Sequence, residues 1–175
     1  MGDKAIFLDR DNTLMVDVPY LKDPSQVRLF TETQTELQRL KEAGYRLIII
    51  SNQSGVARGL CTMSDVEAVN RELERQLVPT VLDAIYISPD GADDEKSLTR
   101  KPAPGLILKA RDHYHLHLEK CFMIGDKASD VECGKNAGCR TIHLQRNGIG
   151  SNLYQADFVA KNLTEAVDWI LKETL

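Results

Sequence analysis

Cysteine and large aromatic residues are scarce in this 175-residue chain, which has four cysteines, four phenylalanines and one tryptophan. Cys61, Cys121, Cys133 and Cys139 make no C-x-x-C pair, so the common signature of a thiolate metal site or redox dithiol is missing. Cys121 opens an apolar run and Cys139 follows a glycine, so both read as small core residues with reduced thiols. No apolar run approaches the roughly 18 residues of a membrane-spanning helix, and no signal peptide precedes the first apolar run. The expectation is a soluble, cytoplasmic protein with no membrane partner. A net charge of −4 and the lack of a long basic run argue against nucleic acid as a partner. Repeats, linkers and low-complexity tracts are also missing, so residues 1–175 suit one domain. No heptad or exposed apolar stripe stands out, and monomer is the default.

What is present is a regular alternation. Short apolar runs recur at Ala5–Leu8, Leu47–Ile50, Ala84–Ile87, Phe122–Ile124, Thr141–Leu144 and Phe158–Ala160. Segments with helical spacing lie between most of them, opened by Thr33-x-x-Glu36, Ser64-x-x-Glu67, Pro104, Ser129-x-x-Glu132 and Asn162-x-x-Glu165. A short oxygen side chain satisfies free N–H groups at such starts, and the acidic residue complements the helix dipole. Gly44 and Gly138 stand where the first and fourth helices close. Strands apolar on both faces, alternating with helices, predict an α/β fold: a Rossmann-like three-layer sandwich with a central parallel sheet. Such sheets bind ligands beyond the carboxyl ends of their strands.

Those ends are rich in chemistry. Asp9 and Asp11 follow the first run, Ser51-Asn52-Gln53-Ser54-Gly55 the second, and Gly125-Asp126-Lys127 the fourth. After the third, across the polar stretch that begins at Ser88, come Arg100-Lys101-Pro102. Asp9 and Asp11 by themselves could be two solvated loop carboxylates, or a close pair stabilised by a divalent cation or a shared proton. Four strand ends supplying carboxylates, a hydroxyl and cations favour a site. Asp9 and Asp126 can hold Mg²⁺, which prefers oxygen ligands. Asp9 can attack phosphorus to give an aspartyl-phosphate, while Ser51 and Lys101 hold the phosphoryl oxygens. Asp11 is placed to protonate the leaving alkoxide and then to deprotonate water. The turn at Asn12–Thr13, where Asn tolerates positive φ, can aim N–H groups at the same anion.

These motifs, "FLDRDNTL", "SNQSGVARG", "RKPAPG" and "GDKASD", resemble the haloacid dehalogenase superfamily. Within it they are most similar to the D-glycero-D-manno-heptose 1,7-bisphosphate phosphatases and the histidinol-phosphate phosphatases. The resemblance implies a capless phosphatase that removes the C7 phosphate of the heptose, with Asp9 as nucleophile and Asp11 as proton donor. It implies Mg²⁺ held by Asp9, the Asp11 backbone carbonyl and Asp126. It also implies substrate contacts from Asp17 to Tyr20 and from Asn52, Gln53, Ser54, Arg100 and Lys127. Many relatives carry a structural zinc through C-x-H and a later C-x-C. Here those positions read Ser88-Pro89-Asp90 and Ser97-Leu98-Thr99, so no structural zinc is expected.

Other features attract weaker readings. His113 and His117 are spaced as one helical turn, yet fall at a helix tail away from the strand ends. Asp130 is either a favourable charge in a first helical turn or a hydrogen-bond partner of the metal's shell. The rival functions are a histidinol-phosphate phosphatase, a polynucleotide 3′-phosphatase and a receiver-like phospho-accepting signalling domain. The acidic balance weighs against the second. An acidic pair after the first strand, rather than a middle one, weighs against the third.

Overall fold

The computed structural model describes residues 3–146 and 154–173. Six strands form one parallel sheet: β1 (Ala5–Leu8), β2 (Arg46–Asn52), β3 (Ala84–Ser88), β4 (Phe122–Gly125), β5 (Arg140–Leu144) and β6 (Phe158–Ala160). Their spatial order is β3-β2-β1-β4-β5-β6. Chain order therefore reverses between β1 and β4, which opens a crevice at their carboxyl ends. Ile6 pairs with Leu47 on one side and with Phe122 on the other, so β1 is central and wholly buried.

Five helices cover the faces: α1 (Thr33–Glu42), α2 (Met63–Leu77), α3 (Gly105–Tyr114), α4 (Ala128–Ala137) and α5 (Leu163–Glu173). Alternation along the strands decides which helix meets which face. Ile6 and Leu8 point to the layer holding Leu37 and Leu40 of α1, Val69 and Leu73 of α2, and Val167 and Ile170 of α5. Ala5 and Phe7 point the other way, to Ile107 and Ala110 of α3 and Cys133 of α4. The three-layer architecture is the one expected; β1 and β6 have the expected bounds, β2 is longer by three residues and the other strands by one. All four cysteines are free and buried. Among the described residues no helix is long and apolar enough to cross a membrane.

Three helix starts differ from expectation. Thr33 does not cap α1; its hydroxyl donates to Leu14 O at 2.8 Å, tying the helix to the first strand-end loop. The capping box of α2 is Thr62 with Asp65, two residues before the expected pair. In α4 the reciprocal carboxylate is Asp130, which accepts from the Lys127 N–H at 3.0 Å. Asn162 does cap α5, accepting from Glu165 N–H at 2.9 Å. Helix α3 stops at Tyr114, with His115 left-handed at φ 54°, so His113 and His117 do not share a helical turn.

Candidate active site

The crevice gathers side chains from four strand ends. Asp9 follows β1 and Asp126 follows β4, its neighbour across the order reversal. Oxygens of Asp9, Asp126 and Asp130 lie within 4.8 Å of one another. Lys101 reaches into the same space, fully buried. Its Nζ donates to Asp9 Oδ1 at 2.6 Å and to Ile50 O at 2.7 Å, and pairs with Asp130 Oδ1 at 2.7 Å. Asn52 fixes its backbone, accepting from Lys101 N–H at 2.9 Å and donating to Lys101 O at 3.1 Å. Gly125 makes the approach of α4 possible, because a Cβ there would collide with the Asp130 carboxylate.

Charge in this cluster is out of balance. Burial opposes the charge on Lys101, but Asp130 and Asp9 outweigh it and raise its pKa above the ordinary lysine value. Burial also pushes the Asp130 carboxyl up, against the pull of Lys101. Both directions hold together because one ammonium must serve more than one carboxylate. Burial likewise raises Asp126, whose Oδ1 is buried with no hydrogen-bond partner. An unpartnered carboxylate oxygen beside an excess of buried negative charge suits a divalent cation with oxygen ligands.

Asp11 stands beside this cluster, held by other partners. Arg10, only 1% exposed, grips both Asp11 oxygens at 3.0 and 3.1 Å through Nη2. Its Nη1 is anchored on Asn70 of α2 at 2.8 Å. Gln53 Nε2 donates to Asp11 Oδ2 at 2.8 Å and to Ser51 Oγ at 2.9 Å, linking the ends of β1 and β2. Burial raises the Asp11 pKa; Arg10 opposes this, and the charge of Asp9 adds to it.

Asn12 takes the left-handed conformation at φ 59°. Its N–H is not free to meet an anion, because it donates to Met15 O at 2.8 Å; its side chain instead donates to Asp126 Oδ2 at 2.9 Å. Arg146 braces the turn, donating to Asn12 O at 3.1 Å and Thr13 O at 2.7 Å while stacking over Phe30.

A cleft of about 260 Å³ opens beside this machinery, walled by Arg10, Asp11, Asp17, Tyr20, Asn52, Gln53, Ser54 and Lys127, among others. Five of the expected substrate-contact positions outside the catalytic set thus share one wall with Asp17. Arg100 is placed elsewhere, its Nη1 donating to Asp90 O at 3.0 Å. A larger groove of about 500 Å³ runs between α2, β3 and α3, and none of the strand-end carboxylates lines it. Among the described residues the histidines join no metal-binding group; His117 lies beside Asp3 and Glu119, at 3.7 and 3.3 Å.

Sequence reasoning missed Arg10, Asn70 and Arg146. Asn70 had a usable signal, a polar residue on the buried face of α2 between Val66 and Leu73. Arg146 had none, since its partners, two backbone carbonyls and Glu32, lie more than a hundred residues away.

A family model described as HAD-hydrolase-like matches residues 98–166. A D-glycero-D-manno-heptose-1,7-bisphosphate 7-phosphatase of Thermosynechococcus vestitus is 33% identical, over 95% of this chain and 94% of that one. A D-glycero-beta-D-manno-heptose-1,7-bisphosphate 7-phosphatase of Helicobacter pylori is 36% identical, over 95% of this chain and 97% of that one. The chain belongs to the heptose-bisphosphate phosphatase family of the haloacid dehalogenase superfamily. It is a phosphatase. The fold agrees: the crystal structure of the B. bronchiseptica D,D-heptose 1,7-bisphosphate phosphatase, complexed with magnesium and phosphate, superposes with a TM-score of 0.87. The two share 29% identity over 97% of this chain and 99% of that one.

Proposed function

We propose that this protein is a single-domain, Mg²⁺-dependent phosphatase that removes the C7 phosphate of D-glycero-D-manno-heptose 1,7-bisphosphate through an aspartyl-phosphate on Asp9. The observation that carries this reading is the buried Asp9–Lys101–Asp130 arrangement beside Asp126, with Asp11 at its side. Asp9, Asp126 and the Asp11 carbonyl would hold the cation. When bound, it offsets the repulsion between the carboxylates and an incoming phosphate monoester.

In the first step the Asp9 carboxylate attacks phosphorus. Lys101, already within hydrogen-bond distance of Asp9, neutralises charge on the transferred oxygens, and the Ser51 hydroxyl donates to another. Asp11 gives its proton to the departing alkoxide, helped by the burial that raises its pKa. Asp11 then takes a proton from the water that attacks the phosphorus of the aspartyl-phosphate, breaking the Asp9 O–P bond and releasing the carboxylate and inorganic phosphate. Asp130 holds Lys101 rather than the substrate, and Arg10 with Asn70 holds Asp11. Asp17, Tyr20, Asn52, Gln53, Ser54 and Lys127 meet the sugar and its second phosphate, and Arg100 joins them on leaving Asp90 O. The site acts on a small sugar phosphate in a monomeric, cytoplasmic enzyme.

The test is phosphate release from a panel with Mg²⁺ or EDTA: the bisphosphate in both anomers, histidinol phosphate and a 3′-phosphorylated oligonucleotide. Mg²⁺-dependent release from the bisphosphate, abolished in Asp9→Asn, is the expected result. Preference for histidinol phosphate or the oligonucleotide would overturn the substrate. Stable phosphorylation of Asp9 without turnover would point to the signalling class.

A further inference from the structure

The polar stretch between β3 and Lys101 is tied by a compact knot of side chains. Asp90 Oδ2 accepts three hydroxyl hydrogen bonds: from Ser97 at 2.5 Å, Thr99 at 2.7 Å and Ser88 at 3.1 Å. Ser88 and Thr99 hydroxyls also meet each other at 3.1 Å. These four residues occupy the C-x-H and C-x-C positions singled out in the sequence. We propose that they form a metal-free hydroxyl–carboxylate knot, centred on Asp90, that orders the loop and fixes the backbone from which Arg100 reaches the substrate.

The chemistry of the donor set carries the argument. Three hydroxyls and one carboxylate offer neither thiolate nor imidazole, the ligands a structural zinc takes, and all three hydroxyls lie within hydrogen-bond distance of the one anion. Donation from Ser97 and Thr99 holds the Asp90 carboxyl below its ordinary range. The centre is a carboxylate satisfied by hydroxyl donors.

The knot is coupled to the site at both ends. Ser88 is fully buried at the end of β3, and its carbonyl accepts from Gln53 N–H at 2.8 Å; Gln53 is the residue that links Asp11 to Ser51. At the other end, Arg100 N–H donates to Ser97 Oγ at 2.9 Å and Arg100 Nη1 to Asp90 O at 3.0 Å. The middle of the loop rests on α3. Leu98 O accepts from Gly105 N–H at 3.1 Å, and a Cβ on Gly105 would collide with that carbonyl. Asp90 is a positioning residue in this scheme, acting through Arg100, and its effect on turnover rests on the proposed substrate.

The experiment uses the full chain with Asp90→Ala, Thr99→Val and Arg100→Ala. Amide exchange over residues 91–100 is read before and after EDTA. Kinetics follow with Mg²⁺ on heptose 1,7-bisphosphate and on p-nitrophenyl phosphate, which has no remote group for Arg100. The expected result is unchanged exchange after EDTA and faster loop exchange in Asp90→Ala and Thr99→Val. For Asp90→Ala, KM for the bisphosphate should rise about tenfold at little-changed kcat, the size of one charge-assisted hydrogen bond. Arg100→Ala should match that rise and add nothing in combination, and Asp90→Ala should cleave p-nitrophenyl phosphate as before. Loop loosening by EDTA that Zn²⁺ reverses would overturn the proposal. So would unchanged exchange in both knot variants, or an equal loss on both substrates. A wild type that cleaves only p-nitrophenyl phosphate would overturn the substrate reading, and the exchange arm would still decide the knot.

Discussion

Lys101 is a buried ammonium shared between Asp9 and Asp130, and its removal leaves two carboxylates in a dry site with no counter-charge. Breaking a buried pair in this way costs about 3–5 kcal/mol. Lys101→Met should therefore lose activity and also lower the urea midpoint, measured without Mg²⁺. An unchanged midpoint would mean that water or protons compensate the carboxylates. Asp9→Asn should lower kcat at least about a thousandfold, as loss of a nucleophile does, while leaving the fold intact by circular dichroism. The titration of Asp126 gives a third expectation. Burial raises its pKa against the Asn12 hydrogen bond, so protons compete for this carboxylate at a higher pH than for an ordinary one. The Mg²⁺ concentration for half-activation should increase as pH falls, starting above the usual carboxylate range. Mg²⁺ titrations of activity at several pH values would show it, and a flat dependence would remove Asp126 from the cation's ligands.

At the scale of elements, the strands were legible and the helix starts less so. Ala5–Leu8 and Phe158–Ala160 read directly, because a continuous apolar run in a parallel sheet marks the buried span of its strand. Helix starts offered two oxygen side chains within a few residues, and distant partners chose between them. Thr33 was drawn to Leu14 O, and Asp130 serves both the Lys127 N–H and Lys101. Thr62→Ala should cost about 1 kcal/mol by chemical denaturation, as the loss of an N-cap does, whereas Ser64→Ala should cost far less. Equal losses would return the cap to Ser64. Asp9, Asp11, Asp126 and Lys101 were legible because strand-end chemistry follows chain order. Arg10–Asn70 and the Arg146 brace were not, since each depends on how α2 and the segment after β5 fold back onto the first loop.

On the scale of the whole molecule, the strand order makes one site from four separate motifs. Reversal between β1 and β4 sets Asp9 against Asp126, and β2 beside β1 brings Ser51 and Gln53 to the same end. The helices of both layers then hold second partners: α2 supplies Asn70 and α4 supplies Asp130. The central claim is that Asp9 takes the phosphoryl group. The most direct test is a single turnover of phosphorus-labelled p-nitrophenyl phosphate, quenched in acid and mapped by peptide mass spectrometry. Wild type and Asp11→Asn would run side by side, because an aryl leaving group needs no proton while breakdown of the intermediate needs Asp11. The account predicts label on the peptide carrying Asp9, accumulating in Asp11→Asn. Turnover with no label on Asp9 in either protein, or label on another residue, would contradict it.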